Sequence, residues 1–418
     1  MRNTRRTLVA AIAAIGTLTS VAACGGGDSD SSASGSGGAG GTYAFWDPYP
    51  QFDASSDWSK LVGKCGTDAG VKIKRTAMDT TDLGNKALLA AQQGNAPDVM
   101  LVDNPVVSTL VEAGIVNKTS DLGLDTTSIQ QNILGAGTID GASYGVPIGA
   151  NTLALYYNKK VLSAAGVDPA AIKDWTSLTA ALKKVKSAGK KGITFSAIGT
   201  EEGSFQFLPW FWGAGADLTA LDSAKGVAAL SLWKGWVDDG LAPKDVLQNT
   251  QTTSWQEFAT GDYAFGENGT WQLGNAAKAG FEYGIINVPA QSGGSAAVPT
   301  GGEFVTVPVQ KDTARYDVSK KIVTCLTSGA NLLSTDTTLA YVAPTAAVQA
   351  EQVKADPALK PWVDAVAAAR GRTSGGLGTK YPTISQPLWT AVQAALSGGQ
   401  SPQAALAAAQ KAAGKAGG

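Results

Sequence analysis

The chain has 418 residues, 33 Lys and Arg against 34 Asp and Glu, three Cys, 11 Trp and no His. The missing histidine excludes Ser-His-Asp and Cys-His catalysis, His-ligated zinc and a histidine pH switch. Three Cys cannot make a four-thiolate site, so no metal or other cofactor is expected, and the near-zero net charge argues against a nucleic-acid partner.

Arg2, Arg5 and Arg6 precede Leu8 to Ala23, a run almost entirely apolar or small. A membrane span needs about 20 such residues. A basic start, a short apolar core and small residues before a cut site instead read as a secretory signal over residues 1–23. Cys24 follows Val21-Ala22-Ala23 directly and resembles a bacterial lipobox, in which that Cys is lipidated and becomes the new N-terminus. Cleavage beside an incidental Cys is the alternative. Gly25 to Gly41 holds only Gly, Ser, Ala and Asp, so residues 24–41 are expected to be a lipid anchor and flexible tether. This puts the folded part on the outer face of the cell membrane. There a disulfide between Cys65 and Cys325 could persist; two buried free thiols are the other reading.

From Thr42 the pattern alternates. Tyr43 to Trp46 reads as a strand, and Asp57 to Lys64 as a helix with Trp58, Leu61, Val62 and Cys65 on one face. Val71 to Arg75 is a strand. Leu83, Ala87, Ala90 and Ala91 mark a helix stopped at Gly94. Val99 to Val102 is a third strand, and a helix over Val107 to Ala113 follows. This order implies a parallel sheet with helices on both faces. Leu153 to Tyr157 is a strand, and a helix with Leu178, Leu182 and Val185 on one face has Thr176 as its cap candidate. Leu230, Trp233, Val237 and Leu241 share another face. Ala264-Phe265, Tyr283 to Val288 and Phe304 to Val309 read as strands, and the tail from Ser385 as helix.

Several segments, in this order, resemble the substrate-binding lipoproteins of bacterial carbohydrate ABC importers, the group that includes maltose-binding protein. They are Cys24, Phe45-Trp46, Gly94-Asn95-Ala96-Pro97-Asp98-Val99, Tyr144-Gly145-Val146-Pro147 and Leu155-Tyr156-Tyr157-Asn158-Lys159. Asp174-Trp175, Phe258-Ala259-Thr260-Gly261-Asp262-Tyr263-Ala264, Asn268-Gly269-Thr270-Trp271, Gly301-Gly302 and Tyr341-Val342-Ala343-Pro344-Thr345 complete the series. The resemblance implies an α/β, two-lobed periplasmic-binding-protein-like fold of type II with a three-segment hinge. The first lobe would take residues 42–148 and 291–343, and the second 149–290 and the C-terminal helices of 344–418. The crossings would lie near Pro147–Thr152, Pro289–Pro299 and Tyr341–Pro344. A monomer would deliver a carbohydrate from the cleft to membrane permease subunits. Val102 stands where maltose-binding protein has Trp, and the Pro-rich loop after Trp46 lacks that protein's basic residue. The resemblance therefore carries the substrate class and not maltose itself.

A sugar site needs aromatic rings for C–H faces and amides or carboxylates for hydroxyls. Trp46 with Asp47, Asp79, and Asp103 with Asn104 follow the first three strands, at the sheet end where open α/β folds place ligands. Trp46 as a core cap and Asp103 as a helix cap are the alternatives. The resemblance adds Asn151 at the hinge, Trp271 and Trp389 as stacking positions, and one platform among Phe205, Trp210 and Trp212. Glu202 lies in the polar-aromatic loop before them. Gly302 would allow close backbone approach, and Glu303 would bond hydroxyls. Trp58, Trp175, Trp233 and Trp255 read as core. Two other functions fit the same composition. One is the same fold taking a polyamine, an organic anion or a peptide. The other is a secreted glycosidase using two carboxylates.

Overall fold

A computed structural model of the chain describes residues 41–416. The secretory signal, Cys24 and the tether up to residue 40 lie outside the described residues. Two sheets organise the rest. The first contains β1 (Thr42–Asp47), β2 (Lys72–Ala77) and β3 (Val99–Asp103), mutually parallel as the alternating pattern implies, and arranged in the order β2-β1-β3. The strand Glu303–Thr306 joins β3 antiparallel, with Glu303 opposite Asp103, and Val146–Pro147 closes the edge. Tyr43 and Phe45 point into one core face with Trp58, Val62 and Cys65. Met100, Val102 and Phe304 point into the other with Leu83, Ala87 and Val107.

Helix α1 (Asp57–Asp68) starts where the Ser56 side chain accepts the Ser59 N–H. Helix α2 (Thr80–Gln92) begins after Asp79, whose side chain makes no capping bond. Helix α3 (Asn104–Glu112) begins after Asp103, whose carboxylate accepts the Asn104 N–H at 2.9 Å. The helix starts directly after β3, earlier than the apolar spacing from Val107 indicates. Cys65 on α1 and Cys325 on helix Tyr316–Leu326 are joined, S–S 2.09 Å.

The second sheet runs Tyr283–Ile286, Leu153–Asn158, Tyr263–Gly269, Lys191–Thr194. Its largest core cluster includes Phe195, Phe207, Trp210, Phe211, Trp233 and Trp236. Helix Glu201–Gly213 is apolar nearly all round from Phe205 to Trp212, and accordingly ten consecutive residues, Gly203 to Trp212, are buried. Helix Trp175–Ser187 is capped by Asp174, in a reciprocal box with Ser177, and not by Thr176. Helices Tyr381–Leu396 and Pro402–Ala416 pack on this lobe.

Three chain segments lie side by side between the sheets. Ala150 and Val342 exchange backbone bonds of 2.8 Å, and Asn151 exchanges bonds of 3.2 and 2.8 Å with Gly301. The middle segment meets its neighbour at Gly301, two residues beyond the Pro/Gly/Ser-rich stretch expected to cross. That stretch instead folds back through a Pro289–Ser295 bridge and receives the Trp175 indole N–H on Pro289 O. Among the described residues no helix is long and apolar enough to cross a membrane.

Candidate functional site

The carboxyl end of β3 points at the seam between the lobes. Asp103 caps α3 there, and the same carboxylate accepts from Arg372 Nη2 at 3.0 Å. Arg372 Nη2 also donates to Asn104 Oδ1 at 3.0 Å, and Nη1 to Glu201 Oε1 at 2.7 Å. Glu201 opens helix Glu201–Gly213, where the helix dipole favours a negative charge. It also accepts from the hydroxyls of Tyr381, at 2.6 Å, and Ser385. Arg372 is 2 % exposed and lies 4.7 Å over the Phe205 ring. Burial opposes its charge, but the carboxylates of Asp103 and Glu201 outweigh that and hold the guanidinium above its ordinary pKa.

Beside Asp103, Glu303 is buried and accepts from Tyr49 Oη at 2.8 Å and Tyr341 Oη at 3.2 Å. Desolvation, then the negative charge of Asp103, push its carboxyl up to about 7; the two phenols and Arg372 pull the other way. Glu303 is thus a buried acid that changes charge near neutrality.

Across the seam stand Phe205 and Trp271, ring centroids 6.3 Å apart. Asn151 is 6 % exposed, and its side-chain amide has no hydrogen-bond partner among the described residues. A Cβ built on Gly301 would lie 2.0 Å from Asn151 Oδ1 and 3.0 Å from the Phe205 ring, so glycine is what lets the crossing pass between them. Glu202 and Asp79 are solvent-exposed and form no salt bridge among the described residues. Although Glu202 keeps accessible surface, the protein around its carboxyl group partly desolvates it and raises its pKa; the Gln251 N–H donated to it at 2.9 Å lowers it, and the charge of Asp79 raises it. Of the 11 Trp, eight are buried; the three that keep accessible surface are Trp46, Trp271 and Trp389. Trp46 leans on the Met78, Leu83 and Val102 cluster, and Trp389 sits one turn after Ser385.

Four sequence candidates are placed otherwise. Asp47 is fully buried and saturated by Arg75, at 2.5 and 2.8 Å, the Trp58 indole N–H and the Tyr49 N–H, so no acceptor is left for a solute. Asn104 is also fully buried, giving its Nδ2 to Thr300 O at 2.9 Å and its Oδ1 to Arg372. Trp210 is inside the second lobe, donating to the buried Glu267 carboxyl at 2.8 Å, whose own pKa burial drives well up. Gly302, at φ +111°, makes its close approach to Gly149, whose carbonyl oxygen would lie 2.4 Å from an added Cβ. Conversely, Glu201, Tyr49 and Tyr341 surround the site without standing among the candidates. Arg372, with Lys380 and Tyr381, is readable in the sequence as part of a Gly-rich loop that could reach the opening. Its partners lie 171 and 269 residues away, beyond any local pattern.

A surface groove of about 590 Å³ between Asn158, Lys159, Gly261 and Phe281 is at the far end of strand Leu153–Asn158 from the crossings and contains none of the candidates. No group of three or more acidic or thiol side chains among the described residues stands close enough to hold a metal ion.

The chain is similar to several known bacterial binding proteins. A binding protein of Brucella abortus is 28% identical over 171 residues, 38% of this chain and 41% of that one. The maltodextrin-binding protein MdxE of Bacillus subtilis is 28% identical over 220 residues, 50% of this chain and 51% of that protein. The chain thus spans about two fifths to one half of the length of these curated relatives. Two solved structures share the fold at about 90% coverage of this chain. One is an ABC transporter solute-binding protein from Thermotoga lettingae bound with alpha-D-tagatose, TM-score 0.77, 21% identical, 99% of that chain covered. The other is UgpB from Mycobacterium tuberculosis in complex with glycerophosphocholine, TM-score 0.76, 20% identical, 98% covered. A family model for the bacterial extracellular solute-binding proteins matches residues 60–361, most of the chain, and the chain belongs to that family.

Proposed function

We propose that the chain is the extracytoplasmic receptor of an ABC importer and takes a mono- or oligosaccharide at the seam between its lobes, handing it unchanged to membrane permease subunits. The observation that carries this is the unpartnered Asn151 amide beside the Phe205–Trp271 pair. Rings offer a face to sugar C–H groups, and an amide both donates to and accepts from hydroxyls. Trp46 and Trp389 supply further accessible rings, and Asp103 and Glu303 stand opposite each other at the end of the first lobe's sheet. Cys24, with its tether, would hold a monomer on the outer face of the membrane, with the lobes divided at residues 148, 290 and 343. Maltodextrin and maltooligosaccharide as the stated ligands of two relatives add weight to the sugar reading.

The exposed carboxylates of Glu202 and Asp79, without cation partners, favour a second reading, a cationic solute held beside aromatic rings. Calorimetric titration with a panel of sugars and polyamines separates the two. Saccharide binding that weakens roughly tenfold in Phe205→Ala or Trp271→Ala, about 1.4 kcal/mol, supports the proposal. Binding of polyamines alone, of no member of the panel, or release of a cleaved sugar product rejects it.

A further inference from the structure

Residues 370–381 pass from the second lobe to the first and back. Arg370 lies 5.0 Å over Trp212 and reaches Asp217 at 3.3 Å, both in the second lobe. Two residues on, Arg372 bonds Asp103 and Asn104 at the end of β3, and Thr373 Oγ1 donates to Ala136 O at 3.0 Å within the first lobe. Gly375, Gly376 and Gly378, all at positive φ, turn the chain round. Tyr381 then returns it to Glu201 in the second lobe. The three crossings described above join the lobes at the hinge; this fourth passage fastens them across the seam.

Arg372 is the only part of this passage that grips both sides with one group. Its two terminal nitrogens span Asp103 and Glu201, two carboxylates on different lobes, and its plane rests on Phe205. Each carboxylate is independently fixed in its own lobe, Asp103 by capping α3 and Glu201 by Tyr381 and Ser385. Separating the lobes must therefore break one of two charge-assisted bonds made by a buried guanidinium, and such bonds are the strong class of hydrogen bond. Removing one partner would also leave a buried charge uncompensated.

We propose that residues 370–381 are an interlobe strap and Arg372 its pin, so that the protein's own groups, and not only a bound solute, set the balance between open and closed lobes. Arg372 is a positioning residue, acting through the relative placement of Asp103 and Glu201. The proposal is independent of which solute the seam takes. It predicts that the lobes part more readily once the pin is lost, and that the apparent solute affinity falls by the same factor as the closed fraction.

The test is small-angle scattering of the full chain without added solute, for wild type, Arg372→Met, Glu201→Gln and the double variant, with the urea midpoint of each recorded. Glu201→Gln keeps the shape and one carbonyl oxygen of the side chain while removing the charge that holds Arg372, so the strap is weakened with the least change of packing. The expected result is a larger radius of gyration in each folded single variant and no further increase in the double variant. If Arg372→Met does not fold, Glu201→Gln against wild type decides alone. Scattering curves of folded variants that superimpose on wild type overturn the proposal, as do increases that add in the double variant.

Discussion

Asp47 and Asp103 end adjacent parallel strands of one sheet, β1 and β3, at the edge where this architecture presents ligands. Each carboxylate is held by an arginine. Asp47 takes Arg75 from the neighbouring strand β2, inside the same lobe, and disappears under Trp58 and Tyr49. Asp103 takes Arg372 from a loop that faces the other lobe, and keeps a fifth of its side chain accessible. Equivalent positions on a sheet thus do different work. The origin of the partner decides whether the ion pair knits one lobe or ties two.

Loss of the Asp47 carboxylate gives the largest effect of those that test this contrast. Asp47→Ala leaves the Arg75 guanidinium, 16 % exposed, with the carbonyls of Phe52 and Tyr49 and the Ser59 hydroxyl but no carboxylate among the described residues. Breaking such a pair from one side costs about 3–5 kcal/mol, read as a lower urea midpoint. The solute affinity of the folded protein should not change. A stable Asp47→Ala protein that has lost its solute would break the comparison, because Asp47 would then belong to the site.

Glu303 sharpens it next. Its folded-state pKa, about 7, stands above the usual 4.5, because the site desolvates the carboxyl and Asp103 lies opposite in the ladder. The folded state therefore binds the extra proton between those two values. The stability this contributes is fully present below pH 4.5 and is lost as pH rises through 7. The loss is about 3 kcal/mol, at 1.36 kcal/mol per pKa unit. Urea unfolding of wild type and Glu303→Gln across pH 4.5 to 8 should show a stability difference that changes by about that amount. A parallel pair of curves would mean that Glu303 is ionised throughout. Asp103→Asn should move the wild-type midpoint down, since it removes the second-largest cause of the shift.

These residues also show what a sequence makes visible. That β1, β2 and β3 run parallel follows from strand and helix periods alternating along 42–113, which are local patterns. That Asp47, Asp79 and Asp103 lie at one sheet edge follows from the same alternation. What separates them does not: Arg75 is 28 residues from Asp47, but Arg372 is 269 from Asp103. The fate of aromatic residues divides in the same way. Phe205 and Trp210 share one helix five residues apart, and the helix is apolar on every side, so its pattern cannot say which ring faces the seam. Only Arg372 over Phe205, and Glu267 under Trp210, tell them apart. The glycine at position 301 is similar. Its need arises from Asn151 and Phe205 passing on either side, and neither is near it in sequence.

Asp79 is the third aspartate of this edge and the smallest expected effect. It follows β2, precedes α2, is exposed, and makes no capping bond with its side chain. Asn serves as well as Asp at a helix cap, and a surface substitution of this kind stays within about 0.5 kcal/mol. Asp79→Asn should therefore leave the urea midpoint where it is. It should lower the pKa of Glu202, because the Asp79 charge is one of the two causes that raise it. A carboxyl-carbon NMR titration of Glu202 reads that shift directly. The same variant discriminates between solutes. A neutral saccharide held by rings and the Asn151 amide has no stake in a charge at the mouth, so its affinity should hold. A cationic solute would lose one of the two exposed carboxylates facing each other across the lobes, and its affinity would drop with a salt dependence weaker than wild type. An unchanged Glu202 titration would mean that the two carboxylates do not sense each other.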